Sequence, residues 1–202
     1  MITLYHAPQS RSSRIIWLLE ELGQPYTIKP VSIFRPMLGT GDPDPANPHP
    51  DKQVPAITHG DTVVAESVAI ILYLTDAFPA AGLGFQPGDP RRGEYLTWLI
   101  WYAAAMEPAM FAQFGGELGD PMKKRAYDAV VRRIENALAA GPYLMDDSFT
   151  GADLLVASAL AFARQAFPES AAIDAYLGRC RTRPAGVRAA ALDDAVGLQK
   201  AA

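Results

Sequence analysis

Residues 79–90, "PAAGLGFQPGDP", separate two stretches whose apolar residues repeat with different periods. Before this segment, short β-branched and aromatic runs alternate with amphipathic helical ones. "ITLYH" (2–6) reads as a strand, and "SRIIWLLEELG" (13–23) sets Ile15, Ile16, Leu18, Leu19 and Leu22 at helical spacing, with Gly23 as a stop. "YTIKPVSI" (26–33) reads as a second strand whose Pro30 suits an edge or a bulge. Five prolines and two glycines in 35–53 exclude an ordinary long helix there. "PAITH" and "TVV" flank Gly60-Asp61, a hairpin signal, and 66–78 is an amphipathic helix. The order βαβ, irregular crossover, ββα predicts a four-stranded mixed sheet with helices packed on it. After residue 90 the strand signals vanish, and 91–115, 121–140, 150–167 and 170–180 read as helices in an Ala-rich region. The expected organisation is an α/β domain over 1–78, a linker over 79–90 and an all-α domain over 91–202.

Composition narrows the function. Of 202 residues half are hydrophobic and a fifth charged, the profile of a soluble chain with a substantial core. The net charge is −4 with no long basic run, which argues against nucleic acid as the main partner, because phosphate neutralisation needs clustered Lys and Arg. "MITLYHAP" lacks the basic and apolar regions of a signal peptide. The most apolar runs, "VAIILYL" (68–74) and "LLVASALAFA" (154–163), fall far short of the roughly 20 residues that span a bilayer. No membrane association and a cytoplasmic location are therefore expected. Cys180 is the single cysteine, so no intrachain disulfide and no Cys-based metal cluster can form, and no metal is expected.

Four segments in order carry a resemblance. "SRSSRIIWLLEELGQPY" starts the first helix, "HPDKQVPAI" (49–57) is a loop running into a proline, and "ESVAIILYL" (66–74) opens a helix on Glu-Ser. "FTGADLLVASAL" (149–160) has the pattern of a buried capping box. Together they resemble the cytosolic glutathione S-transferases, and the first segment is similar to bacterial, theta-like members with a serine at the first-helix start. The resemblance covers nearly the whole chain. It implies a thioredoxin-like N-terminal domain followed by a helical bundle, a homodimer, and glutathione as co-substrate.

It also implies roles for particular residues. The Val54–Pro55 bond would be cis, turning the backbone of Val54 toward the cysteinyl unit of glutathione as a short added strand. Glu66 would meet the ligand's α-ammonium, and Ser67 at a helix N-terminus its α-carboxylate. Gln53 would serve the glycine end, with Lys52 or His49 as the positive charge, although the family often has lysine at position 53 and glycine at 52. In "PQSRSSR" (8–14), Ser10 and Arg14 fit the pattern Ser-x-x-x-Arg, so Ser10 is the expected catalytic donor to the sulfur. Ser12 and Tyr5 are competing donors, Ser13 is a helix cap, Arg14 an anchor, and Arg11 a source of positive potential. A cysteine is absent from this segment, so a mixed disulfide with the protein there is excluded. Trp98, Tyr102, Met106, Met110 and Phe114 recur every four residues, a stripe that serves a helix–helix core or, at Tyr102 and Met106, a wall of a pocket for the electrophile. Pro108 would kink that helix. Thr150 and Asp153 read as folding determinants.

The activity implied is thiolate attack on a small hydrophobic electrophile, a transferase reaction of the detoxification type. Two alternatives stay open on the same residues: a glutathione-dependent reductase or dehalogenase, and a non-enzymatic binding module.

Overall fold

The computed structural model describes residues 1–201, with side chains through Gly197; position 202 of the expected helical domain lies outside the described residues. The chain divides into two compact units, Met1–Ala81 with Arg183–Ala202, and Gly82–Thr182.

In the first unit the strands β1 (Ile2–His6), β2 (Tyr26–Pro30), β3 (Ala56–His59) and β4 (Thr62–Ala65) form a sheet in the order β2-β1-β3-β4. β1 and β2 are parallel, Ile2 facing Tyr26, and both the β1–β3 and β3–β4 pairs are antiparallel. The parallel pair needs a crossover, which helix α1 (Ser13–Leu22) supplies. Ile15, Ile16, Leu18 and Leu19 of α1 are fully buried, and Gly23 ends the helix at φ 64°, its amide bonded to the Leu19 carbonyl. Ile70, Ile71 and Leu74 of α2 (Ser67–Ala77) are likewise buried. Pro30 sits at the end of the edge strand opposite His6, and the Val31 amide that follows it donates to the His6 carbonyl at 2.9 Å.

The last helix, α8 (Pro184–Ala201), departs from the sequence expectation. Pattern alone grouped it with the helices after residue 91, whereas its contacts are with α1 in the first unit. The two helices are antiparallel, because Arg183 pairs with Glu21 at 2.6 Å, Arg188 with Glu20 at 2.6 Å, and Asp193 accepts from Ser13 Oγ at 2.9 Å. Ala185 and Ala189 are buried, small residues that allow close approach.

The second unit holds α3 (Arg92–Trp101), α4 (Glu107–Phe114), α5 (Pro121–Ala140), α6 (Gly151–Phe162) and α7 (Ala171–Arg181). A π-helical turn, Tyr102–Met106, joins α3 to α4, with the Glu107 amide bonded to the Tyr102 carbonyl five residues back. Pro108 explains it: proline has no N–H for the carbonyl of Ala104 and its ring crowds that group, so the helix widens by one residue. The bend expected at Pro108 takes this form.

α6 is buried almost along its whole length and starts on a complete capping box. Thr150 Oγ accepts from the Ala152 amide, while Asp153 accepts from the Thr150 amide at 2.9 Å and the Leu144 amide at 2.8 Å. Tyr176 of α7 also donates to Asp153, at 3.2 Å. Burial pushes the Asp153 carboxyl up, against these hydrogen bonds, which pull it down.

Two outcomes follow from this packing. Asp153→Ala strips buried amides of their acceptor and is expected to cost about 3 kcal/mol, read as a lower urea midpoint, whereas the cap substitution Thr150→Ala costs about 1 kcal/mol. Acid is expected to loosen α8. Burial raises the Glu20 and Asp193 carboxyls, but hydrogen bonds from Arg188 and Tyr26 to the first, and the nearby His6 ring with hydrogen bonds from Ser13 and the Gln9 amide to the second, outweigh it and hold both below their ordinary values of 4.5 and 3.8. The unfolded chain therefore binds more protons, so the stabilisation is complete above the ordinary carboxylate range and is lost as pH falls through the lowered folded values. Urea midpoints measured from about pH 6 to about pH 3 should fall, and Asp193→Asn should flatten part of that fall.

Candidate functional site

The turn after β1 gathers hydroxyls around one carbonyl. Ser10 Oγ donates to the Ala7 carbonyl at 2.7 Å, lies 2.8 Å from Ser12 Oγ, and accepts from the Ser12 amide at 3.2 Å. Ser10 is half-buried and lies two residues before the Ser12 cap of α1, so its oxygen faces the helix start without joining it. The turn is held at both shoulders. Arg35 Nη2 donates to the Pro8 carbonyl at 2.7 Å, and the Gln9 amide, at φ 53°, donates to Asp193.

Ser13 does different work from the helix capping expected of it, and Ser12, the competing donor, is turned inward. Ser12 occupies the N-cap position, but its side chain makes no cap hydrogen bond. It is fully buried, accepts from the Ala7 amide at 3.2 Å and lies 2.8 Å from His6 Nδ1. Ser13 Oγ reaches Asp193. His6 is 0% exposed, on the inward face of β1 after Ile2 and Leu4. Its Nε2 lies 3.0 Å from Asp193 Oδ1, off the axis of a well-aligned hydrogen bond. Sequence reasoning missed both His6 and Asp193. An imidazole at the third inward position of an apolar strand was the one available signal; nothing near Asp193 points across the chain.

Tyr5, the competing donor, packs half-buried against the cluster of Ala7, Val31 and Val54, with Lys29 Nζ 5.3 Å from its ring centroid. Arg14 is buried on α1 and Arg11 exposed.

The Val54–Pro55 bond is cis. Val54 precedes the β3 ladder, which begins with Ala56 paired to Ala65. The loop before it is braced by Asn47, which is fully buried: its Nδ2 donates to the Gln53 carbonyl and its Oδ1 accepts from the His49 amide. Lys52 Nζ donates to the Asn47 carbonyl at 2.8 Å and reaches Pro45 O at 3.5 Å, so the ammonium expected at the glycine end is engaged by the loop's own backbone. His49 Nδ1 accepts from the Asp51 amide at 3.0 Å, which places the ring proton on Nε2, 3.9 Å from Glu66.

At the start of α2, Glu66 has φ 69°, a left-handed conformation that a non-glycine residue adopts at a cost. Its side chain is 81% exposed and makes no cap hydrogen bond, so the carboxylate is not spent on its own helix. Ser67 beside it is buried, and its Oγ has no hydrogen-bond partner. An exposed carboxylate therefore stands next to an unsatisfied hydroxyl and to first-turn amides that have no acceptor within the helix.

The electrophile wall expected at Tyr102 and Met106 is not formed by those side chains. They are 2% and 0% exposed, and Tyr102 OH donates to Glu107 at 2.8 Å. The four-residue stripe is a core stripe at these positions, while Ile100, Phe111 and Phe114 of the same helical run are exposed. Among the described residues no group of three or more His, Cys, Asp and Glu side chains is arranged to hold a metal, and no helix is long and apolar enough to cross a membrane.

Residues 4–82 match the family model of the glutathione S-transferase N-terminal domain. Glutathione S-transferase 3 of Schizosaccharomyces pombe is 29% identical over 158 residues, 77% of this chain and 62% of the relative, so the match spans about three fifths of that protein's length. A glutathione S-transferase from Actinobacillus pleuropneumoniae superposes with a TM-score of 0.81 at 27% identity, covering 96% of this chain and 93% of that one. A glutathione transferase from Methylococcus capsulatus str. Bath gives 0.77 at 28% identity, covering 98% and 100%. With the β2-β1-β3-β4 sheet, the Glu-Ser helix start and the helical second unit, these matches show that residues 4–82 are similar to the glutathione S-transferase N-terminal domain and that the chain resembles glutathione S-transferases over nearly its whole length.

Proposed function

We propose that the protein is a glutathione transferase that binds glutathione on its first unit and directs the thiolate at a small hydrophobic electrophile. The observation that carries this reading is the start of α2. A buried hydroxyl without a partner, Ser67 Oγ, is costly unless a ligand satisfies it, and the exposed Glu66 carboxylate next to it has no structural partner nearer than His49. A free α-amino acid end offers the matching pair: its carboxylate accepts from Ser67 and the first-turn amides, and its ammonium pairs with Glu66. The γ-glutamyl end of glutathione is such a group.

From there an extended peptide would run along the backbone of Val54, outside the β3 ladder, with Gln53 offering a neutral amide to the glycine end. Lys52 is a loop brace in this reading. The thiol would face Ser10. A free thiol has a pKa of about 8.5, and moving it down by about two units takes roughly 2.7 kcal/mol. One charge-assisted hydrogen bond, at about 1.5–3 kcal/mol, with the N-terminus of α1 nearby, is of that size. Ser10 needs only to turn its O–H from the Ala7 carbonyl to the sulfur. A homodimer in solution belongs to the same proposal.

Titration of the bound thiolate's ultraviolet absorbance tests the serine, and calorimetry tests the binding. Ser10→Ala is expected to raise the thiolate pKa by about one to two units and lower kcat/KM at neutral pH by roughly 10–100-fold. Glu66→Ala and Ser67→Ala are each expected to weaken glutathione binding by roughly 10–100-fold. No binding of millimolar glutathione to the unaltered protein overturns the reading.

A further inference from the structure

The hydroxyl of Ser10 is the first member of a chain that continues inward through Ser12 and His6 to Asp193. The separations are 2.8 Å from Ser10 Oγ to Ser12 Oγ, 2.8 Å from Ser12 Oγ to His6 Nδ1, and 3.0 Å from His6 Nε2 to Asp193 Oδ1. Resting on the glutathione reading above, we infer that this chain is a proton relay that carries the proton of the bound thiol to the buried His6.

The bookkeeping closes at every atom. Asp193 is an acceptor, so the neutral ring carries its proton on Nε2 and presents Nδ1 as the base. Ser12 then donates to Nδ1 and accepts from the Ala7 amide, and its second lone pair takes the Ser10 hydroxyl once that O–H turns from the Ala7 carbonyl. Ser10 accepts from the Ser12 amide and has one lone pair left for the thiol S–H. Ionisation breaks the S–H bond and forms a new O–H on Ser10. The former Ser10 proton passes to Ser12, and the former Ser12 proton forms Nδ1–H on His6. Each hydrogen bond in the chain reverses. The products are a thiolate that accepts from Ser10, and an imidazolium against a carboxylate, with no change in total charge and no outside base. The arrangement also accounts for a fully buried histidine, since an imidazolium there would be prohibitive without Asp193.

The groups around the ring permit this. The partner strands set prolines rather than charges beside His6: Pro30 faces it from β2, and Pro55 precedes the first paired residue of β3. The charged residues of the other neighbouring segments include Asp193 and Asp194 on α8, Arg14 on α1, Arg11 in the turn before it, and Arg35, which is engaged with the Pro8 and Gln9 carbonyls. Ser13 and the Gln9 amide fix the Asp193 carboxylate in place.

The test counts protons. Glutathione is added to the full chain near neutral pH in two buffers of different ionisation enthalpy, the heats give the protons released, and ultraviolet absorbance gives the thiolate formed. S-methylglutathione, which has no ionisable thiol, is the blank. The relay predicts almost no proton released per thiolate in the unaltered protein, with nitrogen-15 NMR showing one histidine converted to imidazolium on binding and that signal absent in His6→Gln. Ser12→Ala, which cuts the chain between Ser10 and His6, should release about one proton per thiolate. Thiolate formation with about one proton released by the unaltered protein, or with no imidazolium formed, overturns the relay and leaves the glutathione reading standing. Absence of glutathione binding overturns both. The measurement on the unaltered protein decides the matter even if a variant fails to fold.

Discussion

A fully buried imidazole at the end of the first strand must find polar partners, and here they come from opposite ends of the chain. Ser12 approaches from the turn that follows the strand, and Asp193 from a helix more than 180 residues away in sequence. The cost of leaving such a group unpaired makes the docking of α8 on α1 a condition for the turn to keep its shape. The same carboxylate receives Ser13 and the Gln9 amide, so the left-handed residue before Ser10 is held from the same side. The Glu21–Arg183 and Glu20–Arg188 pairs set the direction of α8, which brings Asp193 to the N-terminal end of α1.

The start of α2 follows the opposite rule. There the fold leaves polar groups unsatisfied: a buried hydroxyl without a partner, a left-handed non-glycine backbone, and a carboxylate held out in solvent. Strain and unmet hydrogen bonds in one place are compatible with a stable fold when the surroundings are well packed, as Ile70, Ile71 and Leu74 are. The contrast between a saturated seam and an unsaturated helix start is what separates scaffold from candidate binding surface in this unit.

In the second unit a single proline reshapes a helix. Pro108 removes one hydrogen bond, the chain responds with a π turn at Tyr102–Met106, and the Tyr102 hydroxyl finds Glu107 five residues on. Periodicity gave both residues the right helix and could not say whether they faced a pocket or the core, because either use demands apolar side chains at the same spacing. Lys52 illustrates a related ambiguity. A lysine in a proline-rich loop reads as a free cation, yet the loop's own carbonyls claim it once Asn47 has fixed their direction.

The sequence by itself determined the local elements and the order in which they occur. Strand and helix periods, the Gly23 stop, the Gly60-Asp61 hairpin and the Thr150–Asp153 capping box are all written in neighbouring residues, and the sheet followed from their order. The segments that carry the resemblance to glutathione S-transferases, including the Glu-Ser start of α2, are local in the same way. Tertiary structure alone decided what depends on distant partners: the assignment of α8 to the first unit, the pairing of His6 with Asp193 and the burial of Tyr102 and Met106. The physical reason is the same in each case. Helical and strand periods are properties of a few adjacent residues, whereas the satisfaction of a buried polar group or the filling of a core depends on which surfaces the folded chain brings together.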